Sequence, residues 1–137
     1  MDITLSVHEA LIHVMVMVSA SDSTMTDPEL RTIGEVISDL PVFSGFDDKK
    51  LTGITEDCAM RMAAENGLRH TLELIARSLP VKFRDTAYAL GVEIAAADLN
   101  VKQEELRMLQ MLRDTLDLDK LTVAAIERGA QARYRTL

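Results

Sequence analysis

Twice in this chain an apolar run ends in the same string, Ala20-x-Asp22 followed by Glu29-Leu30-Arg31, and Ala96-x-Asp98 followed by Glu105-Leu106-Arg107. Both copies read A-x-D-x6-E-L-R. At the same offset Val16 falls on Val92 and Ile33 on Leu109, so the correspondence reaches into the apolar flanks on both sides. A repeated helix-turn-helix unit of this kind predicts a doubled architecture with an internal pseudo-two-fold. Aromatic residues make up 4% of the chain and Trp is absent, so the apolar content is mostly Leu, Ala, Ile, Val and Met. That palette favours helices over sheets. We expect an all-α fold, one domain over residues 1–137, built as a bundle of about seven helices.

The apolar spacing places them. Residues 5–20 carry Val7, Leu11, Val14, Met15 and Val18 at steps of three and four, with Ile12 and Val16 widening the stripe. A helix apolar over so much of its surface belongs at the centre. The next begins with Thr26 as N-cap, Pro28 in the first turn and Glu29 three past the cap, which is a capping box, and Pro41 stops it. Met25 and Leu30 have the spacing of a hydrophobic staple. A connector with Phe43 and Phe46, read as lids on the core, leads to a helix opened by Asp47-Asp48. Gly53 predicts a possible break in it, and Asn66-Gly67 reads as its C-terminal stop.

Residues 68–79 form a further helix before Pro80. The second long apolar helix, residues 83–97, follows, with Phe83, Ala87, Leu90, Ile94 and Ala97 inward and Gly91, Ala95 and Ala96 small enough for close helix approach. Residues 105–116 then carry Leu106, Leu109, Met111 and Leu112 as a buried face. Lys102 stands where Thr26 does in the first copy, so this helix start lacks the same cap. Leu121, Ala124, Ala125 and Ile126 make the apolar set of a last helix with a basic end.

Acidic residues outnumber basic ones, 22 to 15, for a net charge of −7, and no Lys or Arg run offers a nucleic acid its phosphate contacts. The lone cysteine, Cys58, excludes an internal disulfide and reads as a small buried apolar residue. Asp2, His8 and Glu9 interrupt any export signal at the N-terminus, and residues 11–20 are too short an apolar run to span a bilayer. The expectation is a soluble, cytoplasmic chain with no membrane insertion.

The candidate chemistry lies in the repeated acids. In each copy an Asp closes one helix and a Glu sits in the first turn of the next: Asp22 with Glu29, Asp98 with Glu105. One reading is local, with the carboxylates capping backbone N–H groups and complementing helix dipoles. The other uses the pseudo-symmetry: if the two turns lie side by side, Asp22, Glu29, Asp98 and Glu105 converge, and hard oxygen ligands select Ca²⁺, Mg²⁺ or Mn²⁺. Thr24 and Asn100, equivalent in the two turns, add neutral oxygens. An EF-hand is excluded, because the twelfth positions counted from Asp22 and Asp98 are Ile33 and Leu109, where a bidentate Glu is needed. His8-Glu9-x-x-x-His13 has one residue too many for a zinc-protease helix and sets its histidines about 140° apart. The methionine pairs, Met15 with Met17, Met60 with Met62, Met108 with Met111, read as core filling.

With those two acidic strings the chain resembles the TerB-like, tellurite-resistance-associated family, whose hallmark is an apolar helix ending in A-x-D, a short turn and E-L at the next helix start, present twice. Ser23 and Leu99 stand where many members carry Gly. The resemblance implies an all-helical pseudo-two-fold bundle, a role in tellurite, stress or phage defence, and an acidic metal-binding centre. It transfers no catalytic motif. The function expected is thus a non-enzymatic module whose acidic face binds a divalent cation or a basic protein partner. The alternatives are a metal-dependent hydrolase using the same carboxylates, for which an inward His13 would be the candidate base, and a plain scaffold with structural acidic turns.

Overall fold

A computed structural model describes residues 3–20, 25–97 and 102–137. Its centre is α1, Val7–Ser19, in which every residue from 10 to 18 is buried. At 3.6 residues per turn such a run covers the whole helix circumference, so neighbours have to enclose it. They are α2 (Asp27–Asp39), α3 (Leu51–Ala63), α4 (Gly67–Ser78), α5 (Arg84–Ala97) and α6 (Gln103–Leu116), all of which touch α1, while α7 (Lys120–Arg133) packs on α5. The fold is all-α, with seven α-helices and no strand among the described residues. None of these helices is long and apolar enough to cross a membrane.

The packing of α1 against α5 depends on Gly91. A Cβ there would stand 3.4 Å from Val14 Cγ1 and 3.5 Å from Val18 Cγ2, and 3.3 Å from Leu109 Cδ2 on α6. Glycine therefore lets three helices meet at one point, as the small-residue run predicts. Cys58 is fully buried, and its thiol, directed at the His13 carbonyl 3.8 Å away, is pushed up to about 12 by burial. Phe43 is buried and Phe46 half-buried, as lids. His8 joins them: its ring stacks on Phe43 and meets Phe46 edge-on, both at 5.3 Å, with Nε2 2.7 Å from the Val42 carbonyl.

Several expectations are corrected. Asn66-Gly67 does not end α3, which stops at Ala63; Asn66 is the N-cap of α4 in the left-handed region, φ 54°, and Gly67 is the first residue of that helix. Gly67 is needed because a Cβ would lie 2.3 Å from the Arg61 carbonyl oxygen, at the end of α3. Helix α3 runs unbroken through Gly53, which is exposed and where an added Cβ would meet nothing within 4 Å. Leu106 is 50% exposed because α6 turns Glu105, Met108, Leu109 and Leu112 inward instead. On α7, Leu121, Ala124 and Ala125 face outward and Ala130 is the buried residue, since α5 covers only the side bearing Ala130 with the half-buried Val123, Ile126 and Glu127. Met60 is 72% exposed, the exception among the paired methionines.

Candidate functional site

Three helix starts share one device. In α1, Glu9 accepts from the Ser6 N–H at 2.9 Å while the Glu9 N–H donates to Ser6 Oγ at 3.1 Å. In α2, Glu29 Oε1 accepts from the Thr26 N–H at 2.9 Å and from Thr26 Oγ1 at 2.8 Å, and the Glu29 N–H donates back at 3.3 Å. In α6 a Lys occupies the N-cap and its side chain has no lone pair to offer, yet the other half of the box survives: the Lys102 N–H donates to Glu105 Oε1 at 3.3 Å. The missing Thr thus costs one bond rather than the cap.

Glu29 and Glu105, far apart in sequence, line one cleft of about 220 Å³ with Ser19, Pro28, Thr32, Ile94, Ala97 and Lys102. The reason is topological. Helices α1 and α5 pack on each other and both end here, at Ser19 and Ala97, so the helices that follow begin on either side of the same cleft. Glu105 is only 5% exposed and Glu29 is half-buried. The negative ends of the α1 and α5 dipoles face the cleft with no basic residue in either last turn; α2 shares this lack, whereas α3, α4, α6 and α7 all carry an Arg there. Among the described residues Lys102 is the one basic side chain in the lining.

Of the four acids in the sequence-derived set, Glu29 and Glu105 are brought together; Asp22 and Asp98, with Thr24 and Asn100, lie outside the described residues. Among the described residues no group of three His, Cys, Asp or Glu side chains gathers as metal ligands. Glu29 Oε2 takes no hydrogen bond among the described residues. Carboxylate oxygens and helix-end carbonyls are the hard donors that Ca²⁺, Mg²⁺ and Mn²⁺ take.

Among the described residues no histidine lines this cleft. His13 is 1% exposed in the middle of α1; its Nδ1–H donates to the Glu9 carbonyl at 2.7 Å. Burial lowers its pKa below 6.5, against the pull of that same backbone bond, and the Arg61 guanidinium on α3 lowers it further. The three members of the His8-Glu9-x-x-x-His13 string therefore serve an aromatic cluster, a capping box and the core, in that order. Sequence reasoning passed over a second polar centre, in which Tyr88 of α5 donates to Glu127 Oε2 of α7 at 2.5 Å and Arg113 of α6 pairs with the same oxygen at 2.9 Å. No short spacing connects these three, so nothing local signals them.

Fold and site together define a class: a small all-helical module whose acid side chains are gathered where two central helices end. A family model described as Tellurite resistance protein TerB matches residues 8–128, and the chain belongs to that family. No curated protein and no solved structure matches it.

Proposed function

We propose that this chain acts as a single non-enzymatic TerB module of tellurite or stress resistance, binding a divalent cation or a basic protein partner through the acidic cleft. The observation that carries the reading is the meeting of Glu29 and Glu105 in one cleft, at the ends of two helices that lack basic residues in their last turns. Two carboxylates and two negative helix ends make a potential that a cation relieves. Asp22 and Asp98, next to this cleft in sequence, would complete the ligand set. The hydrolase alternative loses ground because its candidate base, His13, is buried away from the cleft lining. The scaffold alternative accounts for the capping bonds and gives no role to the meeting of Glu29 and Glu105 in one cleft.

Titration with Ca²⁺, Mg²⁺ and Mn²⁺, read by thermal shift and by NMR for the diamagnetic ions, tests this in wild type, Asp98→Asn and Glu105→Gln. Glutamine keeps an oxygen for the Lys102 N–H, so the helix start is retained while the charge goes. A saturable response in wild type, weakened about tenfold or more in both variants, is expected, which corresponds to about 1.4 kcal/mol per site. Flat titrations with all three ions defeat the cation reading, and a Lys/Arg-rich peptide then tests the basic-partner form.

A further inference from the structure

A second cavity, of about 310 Å³, opens where the end of α3 meets the start of α4, and its chemistry is opposite to that of the acidic cleft. Its lining includes Arg61, His70, Thr71 and Arg77 and, among the described residues, no carboxylate, in a chain whose net charge is −7. Two of these side chains hold buried polar atoms with no hydrogen-bond partner among the described residues: Arg61 Nε and Thr71 Oγ1. Thr71 is 1% exposed. A buried N–H and a buried O–H beside the same cavity, both lacking an acceptor, are costly unless something with acceptor oxygens enters. The neighbouring His13, whose charged form burial disfavours, does not fill that role: its own Nε2 is buried without a hydrogen-bond partner.

The rim is held in place. Arg77 donates from Nε and Nη2 to the Ile3 carbonyl at 3.1 and 3.0 Å, which anchors its guanidinium at the cavity edge. Gly67, in the lining, keeps the α3–α4 corner closed to a degree that any side chain would prevent. Helix α4 has 12 residues and its Asn66 N-cap supplies no side-chain bond, so the first turn of α4 is not served by its own cap.

We propose that this cavity is a binding site for a small tetrahedral oxyanion of the phosphate class, held by Arg61, Thr71 and Arg77. The inference goes beyond the acidic-cleft reading and does not depend on it. The oxyanion accepts from the Arg61 Nε–H and the Thr71 hydroxyl, and the two guanidiniums balance its charge. The ligand is either the free inorganic ion or the phosphate group of a small monoester, because both present the same oxygens.

The test is a titration with inorganic phosphate, with phenyl phosphate, and with chloride at matched ionic strength, followed by NMR at the Arg61 Nε–Hε and the backbone amides of Gly67 and Thr71. Saturable shifts with phosphate beyond those with chloride are expected, weakened at least tenfold in Arg61→Gln and in Thr71→Val. The second variant replaces a hydroxyl by a methyl of similar size, keeps the fold, and is expected to raise Tm without anion while abolishing the phosphate-induced rise. Glu105→Gln leaves the phosphate response intact, which separates this site from the cleft. A response to inorganic phosphate alone assigns the free ion, and tighter binding of phenyl phosphate assigns the ester. Shifts no larger than those with chloride, or equal shifts in wild type and both variants, overturn the proposal.

Discussion

His13 gives the molecule its clearest response to acid. Burial disfavours its charged form and the Arg61 guanidinium adds to the effect, while the Glu9 carbonyl and the Glu9 and Asp57 carboxylates oppose it. Its pKa in the folded chain therefore lies below the 6.5 of an exposed imidazole. Between those two values the unfolded chain binds the extra proton and the folded chain does not. Stability is then full above about pH 6.5 and falls as pH drops below it. Thermal melts from about pH 5 to about pH 8 are expected to show a Tm that declines on the acid side in wild type and less steeply in His13→Gln. Parallel profiles would remove His13 as the cause. At this scale the apolar role of Cys58 was legible from the sequence, whereas an inward His13 entered only as the condition of the hydrolase alternative. The roles of Arg61 and Thr71 were not legible, because an unmade hydrogen bond depends on what the opposing helix fails to supply.

Helix ends carry the information between residue and fold. The α2 capping box was legible in full, since its donor and acceptor are three residues apart. Lys102 hid the α6 counterpart, because sequence rules look for a side-chain acceptor at the N-cap, whereas the surviving bond uses the Lys102 backbone. Asn66-Gly67 was misplaced for a related reason: a glycine required by close approach to the Arg61 carbonyl looks the same in sequence as one required by a helix stop. Helix α6 closes on Asp117 at φ 52°, where the Leu118 N–H donates to the Arg113 carbonyl at 3.3 Å, a Schellman arrangement with Asp in the place glycine favours. Asp117 is exposed. Asp117→Gly is expected to stabilise the protein by about 0.5–1 kcal/mol, read as a raised denaturation midpoint at constant m. A lowered midpoint would mean that the Asp side chain contributes more than its backbone strain costs.

Across the whole molecule, α1 and its neighbours are held by contacts between distant elements. Arg84, at the start of α5, donates from Nη1 to the Leu116 carbonyl at 3.1 Å and from Nη2 to the Ala76 carbonyl at 3.3 Å. One guanidinium thus serves carbonyls near the ends of α6 and α4, and ties both to the central pair. Arg84→Met keeps the stem and removes both bonds, and a loss of about 2–3 kcal/mol in chemical denaturation is expected. A loss under about 0.5 kcal/mol would place it with ordinary surface changes.

By itself the sequence determined the helix count, the central place of α1, the close approach at Gly91, the α2 cap and the pairing of each acid string with a helix start. All of these follow from spacings of three or four residues and from the local chemistry of caps, where one turn of helix contains both partners. Only the tertiary structure decided that Glu29 and Glu105 share a cleft, that Leu106 and most of the apolar set of α7 face outward, and that Arg61 and Thr71 line one cavity. Those outcomes depend on how α1 docks on α5 and α3 on α4. Docking is a sum of many weak contacts between segments distant in the chain, and no short stretch of sequence encodes that sum.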